Sequence, residues 1–175
     1  MNKNELTTRK STALILGKSK SLLGITKKLL EGKSSGLVKA KHEDISIIGD
    51  LMWEKESRMM NWYEAIEYAK NLRLGGYDDW RLASKEELGD IVTLCGVELA
   101  VQDEDDWNDK WDINKENKAY QSGYEEKGFS SGFYWSSTDY ADNENEALYV
   151  VFHYGYQGYD NKAFSYYVRC VRIGQ

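Results

Sequence analysis

The sequence has no proline, two cysteines and two histidines, and these absences limit its chemistry. Without Pro, the turns of the 175-residue chain depend on 15 Gly and on Asn and Asp, so cis-proline turns and proline-rich linkers are excluded. Cys95 and Cys170 form no CxxC motif, and with only His42 and His153 beside them a zinc site lacks ligands. We therefore predict no metal site and no cofactor, and we favour two reduced thiols over a disulfide.

Long hydrophobic runs are also missing. At the amino terminus, residues 13–16 form an uninterrupted apolar run that is shorter than the roughly 7 to 15 residues of a secretory signal. No run approaches the roughly 20 residues that a membrane-spanning helix needs. We expect a chain without a membrane span that is synthesised in the cytoplasm, and a final location on a virion or another surface stays open.

Positive and negative charges are unevenly distributed along the chain. Residues 1–41 hold ten Lys and Arg and two Glu, which leaves 13 basic and 27 acidic residues in 42–175. The amino-terminal part thus has a formal charge of +8 and the rest has −14. Because an acidic surface repels phosphate, residues 42–175 are not expected to bind nucleic acid. We interpret 1–41 and 42–175 as separate parts of the protein.

The amino-terminal part has the pattern of a basic amphipathic helix. Apolar pairs recur every seven residues, at 15–16, 22–23 and 29–30, with lysines elsewhere on the helix. Gly17 and Gly24 each cost about 1 kcal/mol relative to Ala, so this helix needs a surface to lie against. Its own acidic domain, a second copy, a carrier protein and a membrane surface are the alternatives. Residues 32–41 show no periodicity and are interpreted as a linker.

The remainder of the chain predicts an α+β domain with a mainly antiparallel sheet. Asn61 with Glu64, and Ser84 with Glu87, have the spacing of capping boxes and predict two amphipathic helices. Strands are expected on both sides of these helices. The predicted segments are a strand or hairpin at 45–53, helices at 61–74 and 84–95, a loop-rich stretch at 97–132, and strands at 133–138, 147–154 and 166–173.

An ordered series of motifs resembles the Lcl C-terminal domain family, whose members have a C-type-lectin-like fold. The motifs are LMWEKE, MNWYEAIEYAKNL, GGYDDWRLASKEEL, YWSST, VVFHYG and YYVRCVR, which together span roughly residues 46–173. The resemblance implies a small twisted antiparallel sheet, two flanking helices and a long loop region that displays a ligand-facing surface. It also implies framework roles for Trp53, Trp62, Trp80, Arg81, Leu82, Trp135, Ser136, Ser137, Gly155, Arg169 and Cys170.

Polar and aromatic residues interrupt this framework near the carboxyl terminus. Tyr, Asn, Asp, Ser and His offer flat contact area and hydrogen bonds at low entropic cost, as antibody paratopes do. The stretch is also similar to the variable segments of proteins diversified by retroelements. We predict a surface that binds a protein or another macromolecule, with hot spots at Tyr154, Tyr156 and Tyr159. The candidate ligand-binding residues are Asp139, Tyr140, Asp142, Asn143, Asn145, His153, Tyr154, Tyr156, Tyr159, Asp160, Asn161 and Ser165.

Three other functions compete with recognition. A structural or adhesive subunit would bury the same tyrosines between copies of the chain. Trp107, Asn108 and Asp109 match a triplet of calcium-dependent lectins, and acidic neighbours could bind Ca²⁺, but the usual proline-containing partner motif is missing. An enzyme of the formylglycine-generating type would need a reactive cysteine pair, whereas Cys95 and Cys170 both have the pattern of buried residues. We therefore predict a protein that is not an enzyme.

Overall fold

Two sheets and three α-helices make up the part of the chain that the computed structural model describes, residues 42–101 and 114–174. After a 3₁₀ turn at His42–Asp44, the elements in chain order are β1 (Ile45–Ile48), β2 (Leu51–Glu54), β3 (Arg58–Asn61), α1 (Trp62–Asn71), β4 (Arg81–Leu82), α2 (Lys85–Leu94), β5 (Ala100–Val101), α3 (Lys118–Glu126), β6 (Phe133–Asp139), β7 (Glu146–Val151), β8 (Tyr156–Asn161), β9 (Ser165–Val168) and β10 (Cys170–Ile173). The predicted α+β class is confirmed. The predicted amino-terminal helix and the Trp107–Asp109 triplet lie outside the described residues.

Both predicted capping boxes begin a helix. The Asn61 side chain accepts a hydrogen bond from the Glu64 backbone N at 2.9 Å, and the Glu64 carboxylate accepts one from the Asn61 N at 3.2 Å. Ser84 and Glu87 make the same reciprocal pair, at 3.3 and 2.8 Å. Each pair satisfies two backbone donors that a helix start leaves open, so α1 and α2 begin where these local sequences predict.

The strands form a four-stranded sheet and a six-stranded sheet. The smaller sheet has the order β1-β2-β10-β4 and is antiparallel throughout. The larger has the order β3-β9-β6-β7-β8-β5, with parallel pairing only between β6 and β9 and between β5 and β8. Helix α2 packs on β6, β7 and β8, while α1 lies against β4 and β9. A single small sheet was predicted, and that expectation is wrong.

The chain passes from the larger sheet to the smaller one at Arg169. One strand was predicted over 166–173, but β9 and β10 belong to different sheets. Arg169 separates the two strands in the chain, its side chain is buried, and its backbone O accepts a hydrogen bond from the Ala83 N at 3.3 Å. The interruption lets a single apolar segment contribute a strand to each sheet.

The loop-rich interpretation of 97–132 is wrong for helix α3. The Asn117 side chain caps the helix by accepting from the Tyr120 N at 3.1 Å. Tyr120 and Tyr124 lie four residues apart, so they share one face of the helix and both are buried. The predicted strand at 147–154 also ends early, at Val151, because Gly155 has a left-handed φ of 71° and its N bonds back to the Val151 O at 2.8 Å.

The core consists of two clusters of buried side chains. One contains residues of helices α2 and α3 and of strands from both sheets, and its aromatic members include Trp53, Tyr120, Tyr124, Phe129, Tyr134 and Phe152. The other includes Trp80, Leu82, Trp135, Val168 and Cys170. Trp80 and Trp135, for which the resemblance implied framework roles, are both buried. Arg81 differs from the other framework residues because it is exposed and pairs with Glu87.

Candidate recognition surface

The predicted ligand-binding residues lie at the end of β6, on β8, at the start of β9, and on the two turns that join β6 to β7 and β7 to β8. They fall into two groups at opposite ends of these strands. The turn from β6 to β7 and the end of β8 hold Asp139, Tyr140, Asp142, Asn143, Asn145, Tyr159, Asp160 and Asn161, whereas the turn from β7 to β8 holds His153, Tyr154 and Tyr156. Ser165 is exposed at the start of β9.

The prediction that Tyr156 is an exposed hot spot is wrong. This residue lies opposite Val151 in the sheet, and only 4% of its surface is exposed. Its ring centroid is 6.3 Å from that of Tyr149, a buried residue in the same core cluster. Because side chains alternate between the two faces of a strand, Tyr156 points into the core while Tyr159, three residues later, points to the opposite face.

His153 and Tyr154 pack against each other at the turn from β7 to β8. Their ring centroids are 3.9 Å apart, and the Asn114 side chain donates a hydrogen bond to the Tyr154 backbone O at 2.8 Å. Burial and the nearby Lys115 lower the pKa of His153, so the imidazole is neutral at pH 7. Both residues are half-buried, and their rings contact those of Phe133 and Tyr156 in the sheet. His153 and Tyr154 therefore contribute to packing, whether or not they also contact a ligand.

Tyr140 and Tyr159 form a stacked pair at the other end of the strands. Their ring centroids are 3.9 Å apart and the planes differ by 5°, and both residues are half-buried. We call these two residues the tyrosine pair. Partial desolvation and hydrogen bonds with Asp142 and Tyr159 raise the pKa of Tyr140 to about 12, so its phenol is neutral at pH 7. The structure thus brings together two predicted residues that lie 19 positions apart in the sequence.

Several predicted polar residues shape the turns around the tyrosine pair. The Asn143 side chain accepts a hydrogen bond from the Asn145 N at 3.0 Å, and the Asn161 side chain accepts one from the Ala163 N at 3.0 Å. The carboxylate of Asp160 accepts a hydrogen bond from the Tyr166 hydroxyl at 2.6 Å. These side chains therefore bond to backbone groups or neighbouring side chains within the turns. The formation of the turns is by itself a reason for Asn and Asp at these positions, in addition to any contact with a ligand.

Lys162 holds the tyrosine pair's turn in place, a role that the sequence prediction missed. Its ammonium donates to the Glu144 backbone O at 2.7 Å, pairs with the Asp139 carboxylate at 2.5 Å and lies 4.3 Å from the Trp62 ring centroid. Its backbone N also donates to the Asn145 O at 2.9 Å. The residue is only 6% exposed. The signal in the sequence was a single lysine among the five carboxylates of residues 139–165.

We expect Lys162→Met to lower the free energy of unfolding by about 2 kcal/mol, because the variant loses a charge-assisted hydrogen bond and a cation–π contact. Met keeps most of the buried hydrocarbon, and Asp139 is exposed enough to regain water. Chemical denaturation measures the difference in the free energy of unfolding between the variant and the unchanged protein. Lys70→Met is the matched control, since the Lys70 pair with Glu67 is exposed and is worth well under about 1 kcal/mol. Equal losses in both variants would contradict the role of Lys162.

The thiols and the carboxylates of the described residues form no further site. Cys95 and Cys170 are free, as predicted, and burial raises the pKa of both thiols. Cys170 is buried, but the predicted burial of Cys95 is wrong, because this residue at the end of α2 is only half-buried. Within residues 42–101 and 114–174, no three His, Cys, Asp or Glu side chains come together as metal ligands. None of the helices in these ranges is long and apolar enough to span a bilayer.

Comparison with known proteins identifies the family suggested by the motifs. The sequence model of the Lcl C-terminal domain matches residues 48–172, which include both sheets almost completely and every element of the candidate surface. A search of curated proteins found no match.

Proposed function

Because the chain belongs to the Lcl C-terminal domain family, we propose that residues 42–175 form a recognition domain with a C-type-lectin-like fold. The domain is not an enzyme, and it binds a protein or another macromolecule through the tyrosine pair and the turn between β6 and β7. The observation that carries this proposal is the stacked, partly exposed pair itself, held on a turn that Lys162 fixes.

The proposal is supported by the small entropic cost of binding a ligand through the tyrosine pair. A tyrosine side chain has few rotatable bonds and offers both an apolar ring and a hydroxyl, so it contributes much contact area for little lost freedom. Stacking restricts the two rings further before any ligand binds. A preorganised surface loses less free energy to ordering on association.

The proposal includes diversification of this surface by a retroelement. Exposed residues such as Asp142, Asn145 and Ser165 should tolerate replacement, whereas Tyr156 and Lys162 are buried and needed for packing. Sequencing the 3′ end of the gene in independent isolates tests this directly. We expect changes to concentrate between residues 139 and 165 at the outward positions, next to a template repeat and a reverse transcriptase gene. Isolates that vary evenly along the chain would remove the proposal.

We expect the double variant Tyr140→Ala/Tyr159→Ala to lose binding to a partner that the full chain retains. Each truncation should cost about 1 to 3 kcal/mol of binding free energy. Titration calorimetry of each variant with the purified partner measures this cost. Tyr63→Ala is the matched control, because this tyrosine on α1 is 54% exposed. Unchanged affinity in the double variant would contradict the proposed surface.

The same variant separates recognition from assembly. If Tyr140→Ala/Tyr159→Ala changes the molar mass measured by light scattering, the tyrosine pair lies between copies of the chain. The basic segment of residues 1–41 is proposed to mediate self-association or docking to a carrier. Removing it should then change the molar mass or release the protein from its carrier.

A further inference from the structure

The tyrosine pair lies in an acidic part of the chain. Residues 139–165 contain five carboxylates and one lysine. Asp139 and Asp142 are close to Tyr140 in sequence, the Glu146 backbone O accepts from the Tyr140 N at 3.1 Å, and Asp160 follows Tyr159 directly. The turn that displays the rings therefore displays several negative charges as well.

The lysine does not neutralise this charge at the surface. Its ammonium is buried and pairs with one of the five carboxylates, that of Asp139. Asp160 is held by the Tyr166 hydroxyl. Asp142, Glu144 and Glu146 have no ion-pair partner within the described ranges, and the first two are exposed. Asp142 forms a hydrogen bond with Tyr140, which keeps its negative charge beside the ring.

Partly exposed tyrosine rings beside carboxylates that lack an ion-pair partner in the described ranges are complementary to a cation. A ring face attracts a cation through its quadrupole, and a guanidinium can stack on the ring while its N–H groups bond to a carboxylate. A lysine ammonium has the same charge but is compact and more strongly hydrated, so it cannot match the flat ring as well. A surface of this kind favours arginine over lysine by shape and favours both over neutral side chains by charge.

We propose that the tyrosine pair receives arginine side chains of a basic protein segment, with Asp142 and Glu144 as the charge partners. This inference rests on the proposed function and specifies its ligand class. The binding is selective for the guanidinium group, beyond the general attraction of an acidic domain for positive charge.

The test compares three Gly/Ser-spaced peptides that carry arginine, lysine or citrulline at the same positions. Citrulline keeps the flat shape of arginine without its charge. With the full chain, we expect the citrulline peptide to bind about tenfold more weakly than the arginine peptide, and the lysine peptide severalfold more weakly. The affinity should also fall as salt is raised, because exposed charges are screened. Equal affinities for arginine and citrulline would overturn the proposal.

Matched charge variants locate the binding. Asp142→Asn/Glu144→Gln should weaken the arginine peptide by about five- to tenfold. Asp90→Asn/Glu98→Gln removes two exposed charges of the same sign elsewhere and should change the affinity less than about twofold. Equal losses in both variants would show attraction by net charge only and would overturn the proposal.

Failure of this inference is distinguishable from failure of the proposed function. If the tyrosine double variant abolishes binding of the retained partner while the two charge variants and salt have no effect, the recognition surface stands and the arginine ligand is wrong. If the tyrosine double variant binds both the partner and the peptides normally, both proposals are wrong.

Discussion

Replacing Arg169 with Met should lower the free energy of unfolding by about 3 to 5 kcal/mol, because the variant leaves buried carbonyl groups without donors. Arg169 is 1% exposed. Its Nε donates to the Glu54 O at 2.7 Å, and its Nη1 donates to the Lys127 O at 3.0 Å. The guanidinium also lies 4.2 Å from the Phe129 ring centroid. One side chain thus connects strand β2 to the end of helix α3.

The charge of Arg169 persists despite its burial. Desolvation lowers the pKa of Arg169 to about 10, which still leaves the guanidinium protonated at pH 7.

Chemical denaturation compares Arg169→Met with the control Arg73→Met. The Arg73 side chain is exposed at the end of α1, so its loss should cost less than about 1 kcal/mol. If Arg169→Met does not fold, Arg169→Lys keeps the charge but not the fork of donors, and it should still lose more than the control. A fully stable Arg169→Lys and Arg169→Met would contradict this account.

Trp135→Ala should destabilise the domain by about 3 to 5 kcal/mol, because it leaves a cavity in place of a fully buried indole ring. Trp135 has no exposed surface, and its ring centroid lies 4.7 Å from that of Tyr166 and 6.2 Å from that of Tyr149. The indole N–H also donates to the Phe164 backbone O at 3.1 Å. That bond anchors the turn between β8 and β9, beside Lys162.

A conservative replacement separates volume from hydrogen bonding at Trp135. Trp135→Phe keeps an aromatic ring but leaves the Phe164 carbonyl without its donor, so we expect a smaller loss of about 1 to 2 kcal/mol. Thermal and chemical denaturation of the two variants give the comparison. If Trp135→Ala were no less stable than Trp135→Phe, the ring would not act as a packed core element.

Local features of this fold could be predicted because their partners are close in sequence. Asn61 and Ser84 each bond to a residue three positions later, so the starts of α1 and α2 follow from a short string of letters. The missed helix α3 had a similar signal, since Asn117 caps it and Tyr120 and Tyr124 share one face. The Asn- and Glu-rich surroundings concealed that signal, because these residues also favour loops.

The candidate surface was predictable as a region but not residue by residue. Strand β8 has Gly158 and Asp160 among its residues, so its sequence does not have the apolar alternation of a half-buried strand. Composition marked Tyr154, Tyr156 and Tyr159 as equivalent. Pairing with β7 placed Tyr156 in the core and Tyr159 on the opposite face, beside Tyr140.

The sequence by itself determined the difference in charge between residues 1–41 and 42–175, the starts of α1 and α2, the family, and the segment that holds the tyrosine pair. These properties depend on charge, on contacts within a few residues, or on an ordered set of motifs. Only the tertiary structure decided which tyrosines face outward, that Arg169 divides the last strand, and that Lys162 is buried beneath the acidic turn. Each of these results comes from a contact between residues distant in the sequence, and burial in such a contact depends on both partners at once.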